Sequence, residues 1–363
     1  NWYMFGLLSI IAAAFILSFY GTVSGWTLEY VWLAISDSFK GMSAGDITDT
    51  FNNFISHPYK AVLWQVGFMF LSGTIVIAGV QKGIERYTKM MMPLLLLIVI
   101  ILGIRACTLE GAGAGLKFLF YPKFSELTGS SILSALGQAF FSLSIGMGVL
   151  LTYASYIRKD DNLNHISLQV ITTDTLVAVL GVAILPAVFA FHIDPQAGPG
   201  LVFLTLPKVF LSMPLGQLWS VLFFILLTFA ALTSAISLLE VVVAYMVEEK
   251  KMSRLKATII TTLGISTLGI FSTLSFGPLK EIEFFGLSIF NSFDFISSNI
   301  LLPVGGILLC IFAGWRLDHA VLYSELSNGG KIKLRFFRIY IFILKYLAPA
   351  SILLILLNVL GVF

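Results

Sequence analysis

Long apolar runs constrain this chain more than any other feature. A helix crosses the hydrocarbon core of a bilayer with about 20 apolar residues, and in lipid only helices and closed barrels satisfy every backbone polar group. Nine runs of this kind follow one another along the chain. The predicted spans are Met4–Ile35, Ala61–Gln81, Met90–Leu109, Ser131–Ile157, Ile166–Phe191, Leu215–Val247, Ala257–Phe276, Phe293–Trp315 and Phe336–Phe363.

Composition supports an all-α polytopic membrane protein whose main partner is the lipid bilayer. Of the 363 residues, 58% are hydrophobic and 11% are charged, whereas about 25% are charged in soluble domains. The sequence lacks the alternating pattern of an outer-membrane barrel. A net charge of +3 spread over short loops does not indicate nucleic-acid binding. The sequence shows neither a disulfide or metal spacing nor an enzyme motif, so we expect no enzyme.

Basic residues predict the orientation, because cytoplasmic loops carry an excess of Lys and Arg. One set of alternate loops holds most of the basic residues, and we expect this set to be cytoplasmic. The first helix would then start in the cytoplasm and the last would end outside. The loops in this set lie around Lys82–Lys89, Arg158, Lys250–Lys256 and Arg316–Arg338.

The stretch Ser142–Gly148, "SLSIGMG", places two hydroxyls and two glycines in the middle of the fourth span. One interpretation is an interrupted helix, whose free N–H and carbonyl groups form a ligand site beside a cavity. The other interpretation is close helix packing through small residues. The pattern alone leaves both open.

A second polar group lies in the sixth span. Ala230, Thr233 and Ser234 have the spacing of residues on one helix face. Their oxygens suit a hard cation such as sodium. Alternatively, the two hydroxyls bond back to backbone carbonyls, as they often do in membrane helices.

Two carboxylates and a tyrosine lie within the apolar runs. A carboxylate inside a membrane span indicates function by default, so we expect Asp174 to face a cation or a cavity. Asp294 is shallower, and is either interfacial or part of an external gate. Tyr20 combines an apolar ring with one donor, although most buried tyrosines are simply packed.

Five motifs in order then resemble one family. They are "GWTLEY", "KGIERYTKMMMP", "GQAFFSLSIGMGVLLTYASYIRK", "PQAGPGLVFLTLP" and "FAALTSAISLLEVVVAYMVEE". Over essentially its whole length the chain resembles the bacterial neurotransmitter:sodium symporters. The resemblance implies the inverted-repeat amino-acid transporter fold, with the nine spans corresponding to family helices three to eleven of the usual eleven or twelve. It implies one membrane domain with the rest of the first repeat at 1–109, the second repeat at 131–315 and an extra helix at 336–363.

The resemblance also implies a role for individual residues. Tyr20 would bind the substrate carboxylate. The pocket around the substrate side chain would be formed by Ile16, Phe141, Ser144, Met147 and Leu238. The sodium ligands would be Ser142 at a first site, with Ala230, Thr233 and Ser234 at a second. Asp174 would serve either as a first-site ligand or as a substitute for chloride. The gate residues would be Gln138 and Asp294 outside, and Glu248 and Tyr156 inside.

The function implied is sodium-coupled symport of an apolar or aromatic amino acid across the bacterial inner membrane by alternating access. Sodium is expected, with no organic cofactor, and chloride dependence is not. The first two family helices are expected to be missing, so this chain would not transport without a two-helix N-terminal segment. The alternative is a non-transporting membrane fragment or a partner subunit of a transporter.

Overall fold

The structure is a computed structural model that describes residues 2–121, 123–158, 161–182, 186, 189, 201–211 and 213–361. The helices before the sixth predicted span are α1 (Tyr3–Ile35), α2 (Ala44–Ser56), α3 (Pro58–Ile77), α4 (Arg86–Cys107), α5 (Ala112–Phe120), α6 (Gly129–Ser142), α7 (Val149–Ala154), α8 (Leu163–Val182) and α9 (Leu206–Leu211). The later elements are α10 (Gly216–Glu248), α11 (Arg254–Leu274), the hairpin β1 (Glu283–Phe284) and β2 (Leu287–Ser288), α12 (Ile289–Asp294), α13 (Leu302–Ile311), α14 (His319–Leu326), α15 (Phe337–Phe342) and α16 (Ala348–Val359). Wider π-helical turns at Val80–Glu85, Leu201–Thr205, Phe295–Leu301, Phe312–Arg316 and Ile343–Leu347, and a 3-10 turn at Phe124–Glu126, complete the helical structure.

Within the described residues, seven helices are long and apolar enough to cross a membrane. The chain is therefore a multi-pass membrane protein. Where a π-helical turn adjoins an α-helix, the two form one continuous span. The seven spans are Tyr3–Ile35, Pro58–Ile77, Val80–Cys107, Gly216–Glu248, Arg254–Leu274, Ile289–Arg316 and Phe337–Val359.

The fourth and fifth predicted spans are not among these seven. We predict one continuous span over Ser131–Ile157. The structure has two shorter helices there, α6 and α7, because the chain leaves the helix between them. The prediction over Ile166–Phe191 corresponds to α8, which begins at Leu163. Beyond Val182 that predicted span lies outside the described residues, except for positions 186 and 189.

Four spanning helices, α1, α3, α10 and α11, pack against one another and are called the scaffold helices here. Small residues allow the close approach. A Cβ on Gly25 of α1 would lie 2.7 Å from the backbone nitrogen of Gln65 in α3. Thr22 of α1 and Thr273 of α11 share a buried hydroxyl–hydroxyl hydrogen bond of 2.9 Å. Close packing and buried hydroxyl pairs are how helices associate where lipid removes the hydrophobic drive.

The segment between α1 and α3 contains the thirteen-residue helix α2. A reciprocal capping box begins it: Asp46 N–H donates to the Ser43 hydroxyl and Ser43 N–H donates to the Asp46 carboxylate. That backbone N–H, with help from the hydroxyl, lowers the pKa of Asp46. The Phe51 ring stacks on Phe203, with 5.8 Å between centroids, and so joins α2 to the segment before α9.

Candidate functional site

A break in the helix lies between α6, which ends at Ser142, and α7, which begins at Val149. Ser144, Gly146 and Gly148 have φ angles of 54°, 89° and 78°. An L-residue in a right-handed helix cannot have a positive φ, and glycine adopts such angles without a steric cost. Of the two interpretations of "SLSIGMG", the interrupted helix is therefore confirmed.

The break faces a cavity of about 1500 Å³ that extends between α1, α7, α10 and the turn before α4. Eleven of the fifteen residues selected from the sequence line this cavity. They are Ile16, Tyr20, Gln138, Phe141, Ser142, Ser144, Met147, Tyr156, Thr233, Ser234 and Leu238.

Part of the cavity lining is apolar. Ile16 of α1, Met147 of the break and Leu238 of α10 are each no more than 5% exposed. The Phe141 ring is 41% exposed and lines the same space. Such a surface accepts a hydrocarbon or aromatic group because burial of apolar area is favourable in any orientation.

Another part of the lining is polar. Tyr20 of α1 and Ser234 of α10 both line the cavity and each carries a hydroxyl. Ser142 donates a hydrogen bond of 2.6 Å to the carboxylate of Asp174 on α8. The intramembrane acid therefore meets the last helical residue before the break, although the two are 32 positions apart in the sequence.

On α10, the Thr233 hydroxyl donates to the Ala230 carbonyl at 2.9 Å. A hydroxyl bonded to a backbone carbonyl of its own helix is the alternative to a sodium site at these residues. Ala230, Thr233 and Ser234 lie within little more than one helical turn, and the two hydroxyls line the cavity. The structure thus places the three residues together without assigning them a ligand.

Two predicted gate residues lie away from the cavity lining. Asp294, the last residue of α12, accepts a hydrogen bond of 2.8 Å from the Ser298 hydroxyl. Glu248, the last residue of α10, is exposed. Their gate roles remain predictions.

Sequence reasoning missed Glu240, a fully buried carboxylate in the middle of α10. Arg254 binds it through two nitrogens, at 3.0 and 2.6 Å, and Tyr156 donates to it at 2.8 Å. The Arg254 Nε also donates to the Val76 carbonyl, so the guanidinium reaches α3.

The resemblance assigns Tyr156 to the internal gate together with Glu248. The carboxylate that accepts the Tyr156 hydrogen bond is Glu240. The signal was available, because "SLLEVVV" holds a lone acid in an apolar run, and such an acid needs a buried partner.

Among the residues that the structure describes, no group of three or more His, Cys, Asp or Glu side chains could hold a metal ion. The cavity lining offers the hydroxyls of Ser142, Thr233 and Ser234 instead, with the Asp174 carboxylate and the Ala230 carbonyl bonded to two of them. Hard cations such as sodium prefer oxygen ligands of this kind.

Three comparisons relate this geometry to known proteins. A family model described as the sodium:neurotransmitter symporter family matches residues 52–363. An uncharacterized sodium-dependent transporter of Bacillus subtilis is 38% identical over 362 residues, which is 99% of this chain and 80% of the relative. A second uncharacterized sodium-dependent transporter, from Haemophilus influenzae, is 36% identical over 98% of this chain and 78% of its own length. The crystal structure of MhsT in complex with L-phenylalanine matches with a TM-score of 0.89 and 42% identity, over 99% of this chain and 81% of that one.

Proposed function

Because this chain belongs to the sodium:neurotransmitter symporter family, we propose that it couples sodium movement to transport of an amino acid with an apolar or aromatic side chain. The family consists of membrane transporters rather than enzymes. One observation carries the proposal: the broken helix borders a large cavity whose lining combines buried apolar side chains with hydroxyl groups.

The substrate would bind as a zwitterion. The Tyr20 hydroxyl is the donor for its carboxylate, and Ser144 is a further polar contact at the break. Its side chain would lie against Ile16, Met147 and Leu238, which are buried and uncharged. Since Met adapts its shape easily, several apolar side chains would be accepted. The L-phenylalanine bound to MhsT supports an aromatic substrate.

Sodium would bind at two places. The first is beside Ser142 and Asp174, which meet at 2.6 Å. The second is on the face of α10 that holds Ala230, Thr233 and Ser234, where the Thr233 hydroxyl would exchange its backbone bond for the ion. The Asp174 carboxylate supplies a fixed negative charge near the first site, so chloride would not be needed.

Alternating access would move the broken helix relative to the scaffold helices. Gln138 and Asp294 would close the cavity from outside, and Tyr156 and Glu248 from inside. The loops around Lys82–Lys89 and the other basic clusters would be cytoplasmic in a bacterial inner membrane. The chain would cross nine times, with α6–α7 and α8 as the fourth and fifth crossings, and with residues 1–109 and 131–315 as parts of two inverted repeats.

Uptake of radiolabelled leucine and phenylalanine tests this function under a sodium gradient, in proteoliposomes that hold the protein extended by the two-helix N-terminal segment expected from the sequence. We expect uptake with sodium, none with choline in its place, and a strong loss with Ser234→Ala. Thr267→Ala is the matched control, because Thr267 is exposed and its hydroxyl bonds to the Leu263 carbonyl of its own helix. Equal uptake in sodium and choline would contradict the proposal.

The competing function is a membrane protein that does not transport. Thermal unfolding with sodium and a panel of amino acids separates the two cases. A symporter is stabilised by sodium and substrate together, because a ligand that binds only the folded state raises its stability. Stabilisation without uptake would favour a binding protein or partner subunit, and the absence of both responses would favour a non-transporting membrane fragment.

A further inference from the structure

Two adjacent glycines, Gly305 and Gly306, lie on α13 where that helix meets the broken helix. Both are buried. Within the break, Gly146 lies directly against them: a Cβ on Gly146 would be 2.5 Å from the Leu302 carbonyl oxygen and 3.3 Å from the Gly306 nitrogen. The unwound segment and α13 therefore touch backbone to backbone.

The contact is equally close from the side of α13. A Cβ on Gly305 would lie 3.1 Å from the carbonyl oxygen of Gly146, which is backbone and cannot rotate away. A Cβ on Gly306 would lie 2.4 Å from the Cζ atom of Phe140 in α6 and 3.3 Å from Ile352 in α16. Gly306 thus leaves room for a side chain that precedes the break, and Gly305 leaves room for the break itself. We call this the glycine socket, formed by Gly305 and Gly306 and occupied by Gly146 and Phe140.

The socket fixes the part of the chain that carries the candidate ligands. Phe140 is two residues before Ser142, and Gly146 lies between Ser144 and Met147. The unwound segment is short, and its φ angles at 144, 146 and 148 are positive. A shift of the backbone at Gly146 therefore moves Ser144 and Met147 together. Atoms held against α13 at Phe140 and at Gly146 therefore determine where the hydroxyls of Ser142 and Ser144 point.

We propose that Gly305 and Gly306 are positioning residues: they hold the broken helix against α13 so that the sodium-binding and substrate-binding atoms keep their places. This proposal rests on the proposed function. Neither glycine lines the large cavity, so they act through the break and not on the ligand. A misplacement of about 1 Å at a binding or reacting group can cost about 10²-fold in activity, which makes such a support consequential.

Substitution and rescue test the socket. Gly306→Ala should raise the sodium and substrate concentrations for half-maximal binding about tenfold, because a displacement well under 1 Å suffices for that. The double variant Gly306→Ala with Phe140→Leu should bind like Phe140→Leu alone, since leucine lacks the ring atoms that collide. Gly305→Ala should weaken binding similarly and should not be rescued by Phe140→Leu, because it meets backbone.

Gly264→Ala on α11 is the matched control, since no atom lies within 4 Å of its Cβ position. It should leave binding unchanged and should not lower thermal stability, since Ala is the better helix former. A purely structural role would lower thermal stability in Gly306→Ala and reduce the amount of folded protein without changing the half-maximal concentrations of what remains. That result, or a failure of Phe140→Leu to rescue, would overturn the proposal.

A second measurement needs no ligand. The rate at which a thiol reagent modifies Ser144→Cys reports the exposure of the break when both native thiols are removed, in a Cys107→Ala, Cys310→Ala background. We expect Gly306→Ala to change this rate severalfold and added Phe140→Leu to restore it. An unchanged rate contradicts the socket. If the rate changes but sodium and amino acids do not bind even to the unsubstituted protein, the socket stands and the proposed function fails.

Discussion

The four scaffold helices are continuous and well covered, whereas in the described part of the chain α6 has no fully buried residue. In the scaffold, α1 and α10 both bury residues along most of their length, and those of α10 include Glu240. The broken helix instead borders two cavities, the large one and an apolar one of about 530 Å³ behind it. The scaffold is fixed by side chains that hold several helices at once, and the broken helix by a few close backbone contacts. A substitution in the scaffold helices should therefore lower the free energy of unfolding strongly. A substitution of similar size at the break should weaken ligand binding and cost little stability.

The largest effect is expected where the scaffold buries charge. Arg254→Met leaves the fully buried Glu240 carboxylate without its cation, and breaking a buried pair in this way costs about 3–5 kcal/mol. Thermal unfolding in detergent should show a large drop in midpoint. Adding Glu240→Leu should recover much of it, because the double variant buries no lone charge.

Arg86→Met, at an exposed arginine at the start of α4, is the control for this change. It should leave the midpoint almost unaltered. If Arg254→Met were equally mild, the scaffold would not depend on its buried ion pair, and the contrast between the two regions would be lost.

The next largest effect tests the close packing of α1 on α3. Gly25→Ala puts a methyl group 2.7 Å from the Gln65 nitrogen and 3.0 Å from the Trp64 carbonyl carbon, all of it backbone. Such overpacking costs about 1–3 kcal/mol, which unfolding in denaturant would measure. Gly67→Ala meets open space and should be neutral or stabilising, since Ala is the better helix former. A destabilisation of equal size in both variants would refute the packing argument.

At the break, Ser142→Ala removes the hydrogen bond to Asp174. Because this bond is partly open to solvent, its loss should cost stability no more than about 1 kcal/mol. The stabilisation produced by sodium should nevertheless fall strongly. Titration of the unfolding midpoint with sodium measures both, and Ser56→Ala, at an exposed hydroxyl, is the control. A large stability loss with an unchanged sodium response would reverse the comparison.

The smallest effect concerns α2, outside both regions. The folded-state pKa of Asp46 is lowered by its bonds to Ser43, so the cap stabilises α2 at a pH above the free-acid value of 3.8. This contribution is lost as the pH falls through the lower folded value. The protection of α2 amides against hydrogen exchange, taken relative to the intrinsic exchange rate at each pH, should fall in that range, and in Asp46→Ala it should be low at every pH. Protection in the unsubstituted protein that does not change with pH would contradict the cap.

Much of the site could be predicted, because hydroxyls, glycines and acids are rare in apolar runs and therefore conspicuous. Tyr20, Ser142 and Ser234 were selected in this way, and all three line the cavity. Glu240 was overlooked although it has the same signature. Its partners could not be inferred from the sequence, because Tyr156 is 84 positions away and comes from another helix.

The sequence by itself determined that the chain crosses a membrane and roughly where, and it singled out the span that holds two glycines and two hydroxyls at its middle. Apolar length and glycine content are local properties, and lipid leaves the backbone few alternatives to a helix. Only the tertiary structure decided whether "SLSIGMG" is a break or a packing face, that Asp174 meets Ser142, and that Gly305 and Gly306 receive the unwound segment. Those outcomes depend on which helices become neighbours, and that is set by the fit of distant side chains and backbones.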